Sequence, residues 1–98
     1  MTYRNRKLLD AARDCPECMG CGRANDGTIV AAHSNQIRDG KGTGHKAADY
    51  RIAFLDLVCH AELDQGKTMN REEKVAFWER AHRKSIAWLF ESGKVKIV

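Results

Sequence analysis

Four cysteines and two well-placed histidines are the residues of this chain whose types and spacing could do chemistry. Cys18-Met-Gly-Cys21 is a CxxC pair, Cys15 precedes it by the same interval, and Cys59 stands alone much further along. Zinc takes four soft or borderline ligands in a tetrahedron, commonly two from each of two knuckles. A complete second knuckle would carry a cysteine three residues before Cys59, but Asp56 stands there. Two closures are open: Asp56 as an oxygen ligand beside Cys18, Cys21 and Cys59, or Cys15 as the fourth thiolate. His60, adjacent to Cys59, is a third candidate in place of Asp56. A structural zinc is the expectation for such a cysteine cluster in a reducing compartment. A redox CxxC would open a helix after a strand, and that context is missing. An iron–sulfur cluster would need a further cysteine followed by proline.

The histidines lie in "DGTIVAAHSNQIRDGKGTGHKAADYRIAFLDLVCHAELD", residues 26–64. His33 closes one apolar run and His60 follows the next, so a hairpin would bring them together. An imidazole titrates near ~6.5 and can take a proton from water at neutral pH. A divalent ion beside it would clamp a phosphate and stabilise a leaving oxygen, so the pair is suited to phosphodiester hydrolysis. The blander reading of His33 is a structural histidine at a strand end. His45 reads as loop and His82 as helix packing.

The elements that must position these residues follow from pattern. Residues 5–14 place Leu8, Leu9, Ala11 and Ala12 at helical spacing. "CPECMGCG", residues 15–22, is a knuckle. Thr28 to His33 and Ile52 to Leu57 are strands, the first announced by the turn Asn25-Asp26-Gly27. Between them residues 34–50 hold Gly40, Gly42 and Gly44, a loop able to approach a ligand closely. Cys59 to Gln65 is a short helix ended by Gly66. Asn70 and Glu73 form a capping-box signature for a long helix with Val75, Trp78, His82, Ile86, Leu89 and Phe90 on one side. Ser92-Gly93 stops it, and "KVKIV", residues 94–98, alternates like a terminal strand. The organisation is one domain over residues 1–98: an N-terminal helix in 1–14, knuckle and core in 15–66, helix and tail in 70–98.

Composition narrows the class. Ninety-eight residues, 43% hydrophobic and 31% charged, make one small globular domain, of a size that often recruits a metal or a second subunit. No apolar run exceeds Ile86 to Phe90, too short for a membrane span. "MTYRNRKLLD" lacks the apolar core of a secretory signal, so a cytoplasmic location is expected. The net charge of +4 and a pI near 9.0 fit a nucleic-acid partner. Arg4, Arg6, Lys7 and Arg13 crowd the first segment, and Arg38, Lys41, Lys46 and Arg51 punctuate the central loop.

Taken together, CxxC, a strand ending Ala-His, a Gly/Lys loop, a strand and Cys-His-x-x-x-Asp resemble the HNH, or ββα-metal, nucleases. The pieces "VAAHSNQ", "GKGTGHKAAD" and "CHAELD" resemble most closely the small phage and prophage proteins of the YbcO type, relatives of the phage nuclease Ref. The likeness covers about Arg6 to Gln65. It implies an α+β fold, a zinc-stapled ββα-metal core with a flanking N-terminal helix and a long C-terminal helix. It further implies one catalytic Mg2+ or Mn2+ beside the structural Zn2+, a DNA substrate and a bacterial cytoplasmic setting. His33 matches the general base, and His60 the metal ligand at the helix start. Asp64, one turn on, stands where such sites often supply a second ligand for that ion. Asp49 lies near the middle asparagine of the motif, out of register, and is expected to orient the hairpin or His33. Arg38, Lys41, Lys46 and Arg51 would neutralise backbone phosphates. The sequence departs from the pattern at Asp56, in place of a cysteine, and at Ala32, where many such enzymes carry a metal-binding Asp or His. The rival readings are a zinc-stapled DNA-binding module without catalysis, and an accessory protein of a phage or host recombination complex that docks through its long helix.

Overall fold

Ile52-Ala53-Phe54-Leu55 is an uninterrupted apolar run, and it forms a strand buried along its whole length. In the computed structural model, which describes residues 3–39, 41–42 and 45–97, this strand (β2, Ile52–Leu55) pairs antiparallel with β1 (Val30–His33). The register sets Val30 opposite Leu55 and His33 opposite Ile52. Two strands alone would leave both faces and both edges of the sheet unprotected. Three helices supply the cover: α1 (Arg6–Asp10), continued by a 3-10 turn over Ala11–Asp14, α2 (Leu57–Gln65) and α3 (Arg71–Glu91). The chain is thus a small α+β domain with element order α1, β1, β2, α2, α3.

The outer edge of β2 shows how the cover works. Backbone groups removed from water need partners, and side chains of α3 provide them. The Phe54 N–H donates to Ser85 Oγ at 2.9 Å, while the Ser85 hydroxyl donates to the Ala81 carbonyl. His82 Nδ1 donates to the Ile52 carbonyl at 2.6 Å, and the Met19 amide of the knuckle donates to the Phe54 carbonyl. Trp78 Nε1 reaches across to the Ala32 carbonyl of β1 at 3.0 Å. α3 therefore acts as a polar edge seal as well as an apolar lid. Burying Ile52, Phe54 and Leu55 contributes about 1.5–3 kcal/mol for each side chain.

Helix ends follow local rules. Asn70 and Glu73 make the reciprocal capping box expected at the start of α3. Asp56 caps α2 by accepting from the Cys59 amide at 2.8 Å. That cap ends β2 at Leu55 and starts the helix two residues earlier than the sequence indicates. The buried line of α3 runs Trp78, Ala81, Ser85, Leu89. Phe90, expected on it, is exposed, because one step past Leu89 turns it about 100° around the axis. The terminal strand expected over 94–98 does not form in residues 94–97, and Val98 lies outside the described residues. With the β2 edge sealed by α3 and the knuckle, the tail has no edge there to join. Of the loop glycines, Gly40 and Gly44 also lie outside the described residues. Among those residues no helix is long and apolar enough to cross a membrane.

Candidate functional site

The knuckle turns on its glycines. Gly22 sits at φ +80°, a backbone conformation that side chains disfavour. Gly20 leaves no room for a Cβ, which would meet the Phe77 ring at 2.6 Å. This tight turn folds Cys18 and Cys21 against the β2–α2 junction, where Asp56 and Cys59 stand. The donor atoms of Cys18, Cys21, Asp56 and Cys59 all lie within 4.8 Å of one another. A tetrahedral site with metal–sulfur bonds near ~2.3 Å has edges of about 3.8 Å, so small side-chain adjustments close the group on an ion. These four residues can hold a metal ion.

Among the three thiols, the protein's own electrostatics favour the thiolate at Cys18 and oppose it at Cys21 and Cys59. Burial disfavours charge on Cys18, yet amide donors outweigh it, the Gly20 and Asp56 N–H groups each 3.4 Å from its Sγ, and hold its pKa below the usual thiol value. Burial and the neighbouring thiols push Cys59 up. Burial likewise opposes the Asp56 carboxylate, but its bonds from the Cys59 amide and the Cys21 thiol keep it below the ordinary range. Cys15, the alternative fourth thiolate, stands outside this group. Its buried thiol donates to the Glu17 carbonyl at 3.2 Å. His60 also stands outside it, on the wall of a cleft.

That cleft, about 500 Å³, gathers the second set of residues. His33, at the end of β1, lines it together with His60 and Asp64 from α2. His60 Nε2 and Asp64 Oδ2 are 3.4 Å apart, and both side chains are partly open to solvent. The i, i+4 spacing along the helix puts them on one face. Lys46 and Asn35 complete one wall, and Arg6, Asp10 and Arg13 from the N-terminal segment bring further charge.

Asp49 lies beneath His33. Its buried carboxylate accepts from His33 Nε2 at 2.8 Å, from Arg4 Nη1 at 3.1 Å and from the Asn5 amide at 2.6 Å. Burial works against the charge, but these donors hold its pKa below the usual carboxylate range. An ionised carboxylate can only accept. The His33 hydrogen therefore sits on Nε2, and in the neutral ring the lone pair belongs to Nδ1. Arg4 also donates to the carbonyls of Ala47 and Lys46, tying the N-terminal segment to the end of the loop.

The basic residues divide. Lys41 and Lys46 are exposed, and Lys46 lines the cleft. Arg38 is exposed with one nitrogen 3.2 Å from Glu79. Arg51, expected on a phosphate backbone, is turned inward instead. It pairs with Asp39 at 2.8 Å and with Glu79, and its guanidinium lies 4.8 Å from the Trp78 ring centroid. Its charge is already matched by two carboxylates, so it is withdrawn from the basic surface.

Sequence reasoning missed Asn35 and Arg4. Asn35 lies two residues past His33 in "HSNQ", where a strand end naturally projects toward a site. Arg4 carried no local signal for its pairing with Asp49. No protein-family model matches this sequence, and no curated protein or solved structure matches it either.

Proposed function

We propose that this chain is a metal-dependent DNA endonuclease or nickase of the ββα-metal kind, stapled by a structural zinc. The observation that carries the reading is the cleft in which an Asp49-oriented His33 faces the same space as His60 and Asp64. Hydrolysing a phosphodiester needs a base for the attacking water, and the Asp49 bond prepares His33 for that task by keeping its Nδ1 lone pair available. His60 and Asp64 would hold Mg2+ or Mn2+, whose bound charge clamps the phosphate and stabilises the leaving oxygen. Two protein ligands with open positions suit a hard ion that keeps waters and accepts phosphate oxygens. Lys46 and Arg38 supply cations for the backbone on either side, contacts that position a strand without reading its sequence. The Cys3Asp group fits zinc through its three thiolates, and it ties the knuckle to the start of the helix that carries His60.

A second reading, DNA binding without cleavage, draws on Ala32. This residue is buried in β1, and no third His, Cys, Asp or Glu donor joins His60 and Asp64 among the described residues. Incubating supercoiled plasmid with the zinc-loaded protein separates the two readings. The nuclease reading expects nicked product with Mg2+ or Mn2+ and none when that ion is withheld. Binding with no product under any divalent ion would leave the second.

A further inference from the structure

A second concavity, about 370 Å³, lies beside the cleft and shares Asn35 with it. Its apolar surface comes from Leu63, Val75 and Trp78, and its rim from Arg71, Lys74 and Arg38, the last 3.2 Å from Glu79, with no acidic residue among the described residues of the lining. We propose that this groove receives an unpaired nucleobase with its 5′-phosphate, from the same strand whose backbone lies in the cleft. The placement of that strand rests on the phosphodiesterase reading of the cleft; the nucleotide specificity of the groove does not.

Four observations converge on a nucleotide. The volume falls within the range of about 300–1,000 Å³ typical of small-molecule sites. The combination of apolar floor and cationic rim matches a ligand that is flat and apolar at one end and anionic at the other. Lys74 donates to the Gly66 carbonyl at 2.8 Å, so it is held in place at the rim. Gln36, which also lines the groove, gives one Nε2 hydrogen to Glu79 at 2.6 Å, and its carbonyl oxygen can accept from an exocyclic amine. Trp78 is nearly buried, with His82 stacked on it and Arg51 close by, so it offers an edge to the groove and not an open face. Recognition here is by enclosure and hydrogen bonding. A base inside a duplex cannot enter such a groove, so the proposal names an unpaired or extruded nucleotide, and the enclosure offsets part of the unstacking cost. The chain itself connects the two sites, since residues 33 to 38 carry His33 in the cleft, Asn35 at the junction, and Gln36 and Arg38 in the groove.

The test has one arm that reads binding and one that reads cleavage. In the first, 2′-deoxyadenosine 5′-monophosphate is titrated into the zinc-loaded protein, and the Trp78 indole N–H resonance is followed, assigned with Trp88→Phe. A saturable shift is expected, with deoxyribose 5-phosphate and inorganic phosphate ineffective. Arg71→Ala, at an exposed first position of α3 that no core packing depends on, should weaken the binding about fivefold. No saturable shift, or the same shift with inorganic phosphate, would overturn the proposal. In the second arm, a duplex with one unpaired adenine is compared with the same duplex carrying an abasic residue there. Faster cleavage beside the adenine supports the groove as a substrate subsite; equal cleavage of the two overturns that role. If neither duplex is cleaved while the mononucleotide still binds, the groove stands as a nucleotide site and the nuclease reading fails.

Discussion

Asp49 accepts from three donors, and replacing it by asparagine tests what it does for His33. An amide has one accepting oxygen and one donating nitrogen. If the oxygen keeps the Asn5 amide, the nitrogen takes the Oδ1 position, which faces both His33 and Arg4, and turns His33 Nε2 into an acceptor. The hydrogen then moves to Nδ1, the nitrogen that should take a proton from water. Asp49→Asn is expected to bind metal and DNA as before and to lose cleavage by about 10²–10⁴, the contribution of a positioned general base. Steady nicking by this variant would mean that Asp49 only ties Arg4 and the N-terminal segment to the loop. At this scale the sequence was informative where chemistry is local. His33, His60 and Asp64 stand out because a strand end and a helix turn place them. Asp49 stands out less, because the loop that returns it to His33 has no periodicity from which its path follows. The pairing of Arg51 with Glu79 was illegible, since nothing near either residue marks a partner on the far helix.

At the scale of elements, the strands, the short helix and the capped long helix were all legible from apolar period and turn chemistry, to within a few residues at their ends. What the pattern did not contain was the fate of the β2 edge. A serine in the middle of a helix reads as neutral, yet Ser85 is fully buried and accepts the Phe54 N–H. Ser85→Ala strips that amide of its partner and is expected to lower stability by about 1–3 kcal/mol in urea denaturation, with metal content unchanged. An unaltered midpoint would show that the edge seal contributes nothing. The same sealing explains why residues 94–97, alternating though they are, form no strand. The inward turn of Arg51 has its own consequence for DNA. Lys41→Ala with Lys46→Ala should flatten the dependence of log affinity on log salt by about 1.8, two phosphate contacts on duplex DNA. Arg51→Ala should leave that slope unchanged while reducing stability. A slope that falls with Arg51→Ala would return this residue to the DNA-facing surface.

For the molecule as a whole, a small sheet, three helices and a four-donor knuckle share one modest core, so metal and fold are expected to be coupled. The protein should retain about one tightly held zinc per chain, and Cys21→Ser should release it and unfold the domain. Asp56→Ala should weaken the metal and remove the α2 cap together, whereas Cys15→Ser should keep the metal, because Cys15 lies outside the cluster. A folded, metal-free protein after chelation would contradict the staple. The sequence narrowed the fourth ligand only to a choice, since spacing along the chain cannot say which side of the knuckle closes on the helix start; the fold brings Asp56 there. On the proposed function, the two histidines that line one cleft divide the work of phosphodiester hydrolysis. The most direct measurement of that division is the single-turnover nicking rate of supercoiled plasmid across a Mn2+ titration, for the unaltered protein, His33→Ala and His60→Ala. The account expects His33→Ala to be slow at every Mn2+ concentration, with the metal midpoint unmoved, and His60→Ala to recover partly as Mn2+ rises. Robust nicking by His33→Ala, or loss of the structural zinc in His60→Ala, would contradict it.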